Sequence, residues 1–187
     1  MSQSDLLIEA VRALEEAGVG YLLSGSLASS LQGEPRATHD VDLVVEADPR
    51  MLDALARAFG ADRYFFDDVA ARDALEHQGM FNLIDTRSGD KVNFWMLTGR
   101  PFDRSRFSRR TVVELFGIEM TVSAPEDTIL QKLSWAAKGD GSERQLRDAL
   151  GVYEVQAGML DEEYLDRWAA ALDVTELLDE VRAAAAR

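Results

Sequence analysis

The segment HDVDLVVEA, residues 39–47, constrains the fold more than any other. Its aliphatic, partly β-branched residues read as a strand, and strand alternation sends Asp40 and Asp42 to one face and Val41, Leu43 and Val45 to the other. The two aspartate Cα atoms then lie ~6.5–7 Å apart, close enough for both side chains to converge on one ion. An ionised carboxylate is costly to desolvate unless positive charge meets it. The chain therefore needs a sheet whose one face is apolar and whose other face carries a negative pair.

Helical and extended patterns alternate around this strand. SDLLIEAVRALEEAGVG places Leu6, Leu7, Ala10, Val11 and Leu14 at helical spacing, with Ser4 as the expected cap. YLLSG reads as a short strand ending in a turn, and SLASSLQG as a short helix closed by Gly33. DPRMLDALARAFG is a helix with Asp48 as cap, Pro49 in its first turn and Gly60 at its end. DDVAARDALEHQG is helical, and MFNLID and KVNFWML are strands joined by TRSGD. TVVELFGIEMTVS is a second hairpin with Phe116-Gly117 near its turn. From residue 124 four helical segments follow, separated by GDG, AGML and DV. The expected architecture is α+β: a core over residues 1–123 and a helical C-terminal subdomain over residues 124–187.

Charge narrows the function. With 20 basic against 34 acidic residues, the formal net charge is −14, which argues against broad affinity for nucleic acid or anionic membrane. The arginine-rich GRPFDRSRFSRR is a solvated helix paired with nearby acids in one reading, and a landing site for a phosphate-bearing substrate in another. The chain has no cysteine, which excludes disulfides and thiolate chemistry. It has no apolar run long enough to span a bilayer and no signal-like start, so the expected location is the cytoplasm.

Upstream of the carboxylates, Gly25-Ser26 sits where the apolar YLL gives way to a helix. Glycine permits close backbone approach, free N–H groups at a helix start favour an anion, and a serine hydroxyl can donate to phosphate. Two carboxylates suit a hard cation, above all Mg²⁺, which takes part of its shell from a phosphorylated substrate. The combination SGSLASSLQGEPRATHDVDLVV resembles the nucleotide-binding signature of the polymerase-beta-type nucleotidyltransferase superfamily. It is especially similar to small prokaryotic members, the minimal nucleotidyltransferases and the abortive-infection-type toxins. The fold this implies is a nucleotidyltransferase-type mixed β-sheet flanked by helices.

The resemblance implies roles residue by residue. Gly25 and Ser26 take the triphosphate, and Asp40 and Asp42 are the metal ligands. Arg36 and Thr38 match the loop before the carboxylate strand. Lys132 matches a lysine near the nucleotide phosphates, and Arg147 with Asp148 an Arg-Asp pair of a later helix. A solvated helix position explains Lys132 equally well, and interhelical packing or salt bridging explains Arg147 with Asp148. The implied activity is transfer of a nucleotidyl group from a nucleoside triphosphate, with Mg²⁺ or Mn²⁺. The acceptor is a protein side chain, a tRNA end or a small molecule such as an aminoglycoside. A toxin–antitoxin role with an antitoxin protein as partner also follows from the resemblance.

One position departs from the pattern. Active members present a third carboxylate on a neighbouring strand, and Asn93 of KVNFWML stands there. An amide oxygen can coordinate a metal, but it carries no charge and is no general base near neutral pH. Asp85 is the nearest substitute and lies too far out along its hairpin. The alternative reading is therefore a non-catalytic nucleotide-binding or protein-interaction member of the same fold. His39, His77, Trp135 and Trp168 read as structural. Trp95, on the Asn93 face of its strand, reads as core or interface, with base stacking as the sharper option.

Overall fold

The computed structural model describes residues 3–38, 40–59, 62–139 and 142–187. The expectations for His39, for Gly60 and for Asp140 and Gly141 of the GDG separator lie outside the described residues. In chain order the first elements are α1 (Gln3–Glu16), β1 (Tyr21–Ser24), α2 (Gly25–Gln32), β2 (Asp40–Val45), α3 (Pro49–Ala58), β3 (Tyr64–Phe66) and α4 (Asp68–His77). Then come β4 (Met80–Asp85), β5 (Lys91–Met96), α5 (Pro101–Ser108), β6 (Thr111–Leu115) and β7 (Ile118–Val122). The last are α6 (Pro125–Ala137), α7 (Ser142–Val155), α8 (Glu162–Leu172) and α9 (Thr175–Ala185).

The chain divides into two compact units, Met1–Ser24 with Thr38–Val122, and Gly25–Ala37 with Ser123–Arg187. The second unit starts at Ser123, one residue before the boundary read from the sequence. It also takes in Gly25–Ala37, which the linear reading leaves in the core.

The first unit is built on a seven-stranded sheet in the order β3-β4-β5-β2-β1-β7-β6. The sheet is mixed. β2 runs parallel to β5 and β1 parallel to β7, while the hairpins β4–β5 and β6–β7 and the pairs β1–β2 and β3–β4 are antiparallel. One face is apolar: Val41, Leu43, Val92, Phe94, Phe81 and Leu83 are all buried, and Phe81 stacks on Phe94 at 4.9 Å. Helix α1 packs on α3 and β5 with the periodic leucines and valine expected of it. It begins at Gln3, so Ser4 lies in its first turn rather than capping it. Asp48 caps α3 by accepting from the N–H groups of Arg50 and Met51, with Pro49 behind it, as the sequence implies.

The β6–β7 hairpin closes on Phe116 and Gly117, at φ 54° and 80°. Both central residues are left-handed, which matches the twist of a two-residue hairpin. Strand β3 is an addition that no periodicity announced.

The arginine-rich segment forms α5, and its charges are used structurally. Arg104 pairs with Glu46 at 3.0 Å, Arg106 is buried beside Asp103, and Arg110 lies over the Phe107 ring. This fits the reading of a helix paired with nearby acids, except that Arg106 is not solvated.

The second unit packs α2 against α6 and α7, with α8 and α9 completing a helical assembly. Its core includes Ile129, Leu130, Leu133, Val152, Leu165 and Leu178, all buried. The first turn of α6 is tied down by its own acids: Glu126 accepts the Asp161 N–H at 2.9 Å, and buried Asp127 accepts the Tyr164 hydroxyl. The end of α2 crosses α7 at very close range. A Cβ on Gly33 would stand 2.6 Å from the Val152 nitrogen and 2.7 Å from the Gly151 carbonyl carbon. Beside this crossing the Gln32 side chain donates to the Ser123 carbonyl, and Gln156 donates to the Gln32 carbonyl at 2.8 Å. Gly33 is thus more than a helix stop.

Because backbone atoms cannot yield as a flexible side chain can, Gly33→Ala is expected to destabilise the protein by about 1–3 kcal/mol in urea unfolding. Gly99→Ala, where an added Cβ meets nothing within 4 Å, should change stability by less than about 0.5 kcal/mol. Equal effects at both positions would remove the close approach as the cause.

Candidate functional site

In the first unit the strand registers align a polar row. Ser24 of β1 stands opposite Asp42 of β2, Asp42 opposite Asn93 of β5, and Asn93 opposite Asn82 of β4. Asp40 and Lys91 form the next register pair outward on the same face, and Val44 and Trp95 the next inward. Asp40 and Asp42 therefore share a face, as alternation requires.

The two carboxylates are held differently. Asp40 is exposed and pairs with Lys91 at 3.0 Å. Asp42 is 8% exposed, and its Oδ1 accepts from Asn93 Nδ2 at 2.9 Å and from Trp95 Nε1 at 3.0 Å. Asn93 is itself 6% exposed, and its Oδ1 is buried with no hydrogen-bond partner among the described residues. An orphaned carbonyl of this kind costs about 1–3 kcal/mol, which a cation or a donor would relieve. A core position for Trp95 does not hold: it is 37% exposed, with its indole N–H on the carboxylate.

Oxygen donors from two carboxylates and one amide fit a single hard divalent cation. They do not fit two. With Lys91 beside Asp40, the row carries two negative charges and one positive, a net of one negative charge. No group of three or more His, Cys, Asp or Glu side chains among the described residues forms a metal cluster.

Asp85 does not complete the set. It is one residue beyond Ile84, so it points to the other face of β4 from Asn82. There it accepts from Arg63 at 2.6 and 3.0 Å and from the Arg87 N–H. These bonds, the guanidinium foremost, hold its carboxyl down to about 2 against the opposing effect of burial. Thr38 Oγ1 donates to the Asp40 carbonyl at 3.2 Å and braces the start of β2.

The second unit gathers another cluster. Gly25, at φ 67°, adopts the left-handed conformation that opens α2. Arg36 clamps Asp148 with Nε on Oδ1 and Nη2 on Oδ2, both at 2.9 Å, and Nη2 also donates to Ser26 Oγ at 2.6 Å. Lys132, 1% exposed, donates to Asp148 Oδ2 at 2.7 Å. Burial pushes the Asp148 carboxyl up, but Arg36 and Lys132 outweigh it and hold the group below the usual carboxylate range. The Asp148 hydrogen bond in turn raises the Arg36 guanidinium.

Asp148 thus serves an arginine and a lysine at once. Because Ser26 accepts from Arg36, its own O–H stays able to donate. The solvated-helix alternative for Lys132 is excluded by its burial.

Arg147 is not part of this cluster. One residue from Asp148, it is about 100° around the helix. It lines a groove of about 530 Å³ in the second unit with Leu150, Val181 and Ala184.

No family model matches the sequence, and no curated protein matches it. Among solved structures the chain is similar to an antigenic nucleotidyltransferase-like protein from Paracoccidioides brasiliensis. That match has 16% identity and a TM-score of 0.52, and covers 92% of this chain and 91% of the other. It is also similar to ANT(2'')-Ia, solved in complex with adenylyl-2''-tobramycin. Here identity is 13% and the TM-score 0.54, with 92% of this chain and 98% of the other covered. At such identities the likeness establishes the fold. The chain has a nucleotidyltransferase-type fold, a mixed sheet flanked by helices with a helical C-terminal part.

Two stability outcomes follow from the ion pairs. Asp148→Asn removes the carboxylate shared by a fully buried lysine and an arginine, and is expected to cost about 3–5 kcal/mol in urea unfolding. Arg36→Ala should cost less, because Asp148 keeps Lys132 and the arginine side chain is 31% exposed. The reverse order would refute the shared-carboxylate arrangement.

For Asp85 the folded carboxyl titrates at about 2, below its unfolded value of about 3.9. Its stabilisation is thus present above about pH 4 and lost as the pH falls through about 2. The melting temperature of the protein should drop more steeply over that window than that of Asp85→Asn. Parallel curves would show that the carboxylate is not ion-paired in solution.

Proposed function

We propose that this protein is a metal-dependent nucleotidyltransferase, moving a nucleotidyl group from a nucleoside triphosphate to an acceptor hydroxyl. The observation that carries the reading is the in-register row of Ser24, Asp42 and Asn93, with Asp40 on the same face, in a chain of nucleotidyltransferase-type fold.

In this reading Asp40 and Asp42 hold one Mg²⁺ or Mn²⁺. When bound, the ion neutralises phosphate charge and draws electron density from the reacting phosphoryl group. Asn93 adds an uncharged oxygen. Gly25, Ser26, Arg36 and Lys132 bind the polyphosphate through backbone N–H, hydroxyl and cationic groups. Asp148 fixes the two cations in place. Thr38 and Arg147 have supporting roles, bracing β2 and lining a groove of the helical unit. The acceptor oxygen attacks the α-phosphorus in line, forming the new P–O bond as the bond to pyrophosphate breaks, and the hydroxyl proton passes to water because Asn93 cannot take it.

The acceptor is a protein side chain, a tRNA end or a small molecule. ANT(2'')-Ia was solved in complex with adenylyl-2''-tobramycin, which supports trying a small polyhydroxylated amine first among the acceptors. A toxin–antitoxin setting, with a protein antitoxin as partner, belongs to the same proposal and rests on the sequence resemblance alone. No helix among the described residues is long and apolar enough to cross a membrane.

A second reading is favoured by Asn93. A member that keeps the nucleotide and lacks the third carboxylate would sense nucleotide without turning it over. Incubation of a cell extract with each α-labelled triphosphate, Mg²⁺ and the protein separates the two. Labelled acceptor and pyrophosphate, reduced at least about 100-fold by Asp42→Asn, is the expected result for the transferase. Mg²⁺-dependent binding with no pyrophosphate is the result for the sensor. Asn93→Asp should tighten Mn²⁺ binding about tenfold by restoring a charge to the row, and unchanged affinity would remove Asn93 from the site.

A further inference from the structure

Asp42 Oδ1 accepts two N–H bonds at once, from Asn93 at 2.9 Å and from Trp95 at 3.0 Å. A carboxylate oxygen has two in-plane lone pairs, so both are taken at this atom. The two donors are not equivalent. Asn93 can turn its amide about the last torsion and offer Oδ1, which is buried without a partner in its present orientation. The indole of Trp95 has no such alternative, since its nitrogen is a donor only. A cation that takes Oδ1 can therefore convert Asn93 from competitor to ligand, but it must displace Trp95. Trp95 is 37% exposed, whereas its neighbour Phe94 is completely buried on the opposite face of β5.

We propose that Trp95 is a positioning residue that gates Asp42 Oδ1: its indole N–H holds that oxygen in the absence of a divalent cation, and cation binding at Oδ1 and the Trp95 hydrogen bond exclude each other. The gate rests on the reading of Asp42 as a metal ligand. Without a cation, the indole and amide donors satisfy a nearly buried charge that would otherwise be exposed to its full desolvation penalty. With one, that satisfaction passes to the ion, and the freed indole presents its edge and face to solvent beside the carboxylate row. The strand spacing makes this possible. Asn93 and Trp95 are two apart on β5, parallel to and in register with β2, so both reach one residue of the neighbouring strand.

The chain has three tryptophans, so ¹⁵N-indole labelling of the full protein gives three indole N–H signals, and Trp95→Phe identifies one. On titration of the wild-type protein with MgCl₂, with and without a non-hydrolysable α,β-methylene nucleoside triphosphate, the Trp95 indole proton should move upfield as it loses a charge-assisted hydrogen bond. The signals of Trp135 and Trp168 should stay in place. By calorimetry, Trp95→Phe should bind Mn²⁺ three- to tenfold more tightly than wild type. Binding by Trp95→Phe alone would show the same gate, closed more firmly. Mn²⁺ bound by both proteins with equal affinity, and a stationary Trp95 signal, would overturn the gate and leave the nucleotidyltransferase reading intact. No binding of either metal to either protein, with or without the nucleotide, would overturn both.

Discussion

The first unit depends on how an ionised carboxylate survives on the central strand of a sheet. β2 has β1 on one side and β5 on the other, so nothing on its flanks is left open to water, and Asp42 is 8% exposed. Burial of an unmet carboxylate would be prohibitive. The sheet meets it with neutral donors, an amide and an indole from β5, and this works only because β2 and β5 run parallel in strict register. A one-residue slip would turn Asn93 and Trp95 to the apolar face and place Phe94 where the donors belong. The same alternation that sends Phe94 beneath the sheet, where it stacks on Phe81 of β4, therefore fixes the chemistry above it.

The second unit solves the same problem with the opposite sign. Asp148 is also nearly buried, but its partners are a lysine and an arginine. Neutral donors leave the charge of Asp42 uncancelled, whereas Asp148 is met by two cations. The Gly25–Ala37 segment, which carries Ser26 and Arg36, leaves β1 directly after Ser24.

Much of this was legible in the sequence. The alternation of residues 40–45, the helical period of residues 6–14 and the Phe116-Gly117 turn all express local preferences, and local preferences prevail where packing agrees with them. The carboxylate pair was visible because its spacing is a strand property. What was hidden depends on pairing between distant segments. Trp95 reaches Asp42 across 53 positions of sequence, and no property of KVNFWML reveals which strand lies beside it. Lys132 read as solvated or functional with equal ease, because its burial comes from an aspartate one helix away. Strand β3 is three residues long, too short for any periodicity to show. Arg147 and Asp148 are adjacent in sequence but diverge around α7, so a dipeptide match carried one residue into the ion-pair cluster and the other away from it.

Within the proposed function, Asn93 decides between transfer and sensing, and the deciding quantity is charge. Three carboxylates facing one another repel strongly and are stable only with metal between them, so a site of that kind is held open for ions. Replacing one by asparagine does more than subtract a ligand. It gives Asp42 an internal donor, which lowers the energy of the metal-free state while also weakening the metal-bound one, so the balance shifts twice in the same direction. Lys91 beside Asp40 shifts it again. Under the proposed function, a site built this way fills when a nucleotide brings its own negative charges and the cation together, since the polyphosphate supplies what the protein has given up. Binding of ion and nucleotide is in that reading strongly coupled, whichever of transfer or sensing follows, because the missing charge has to be provided by the ligand.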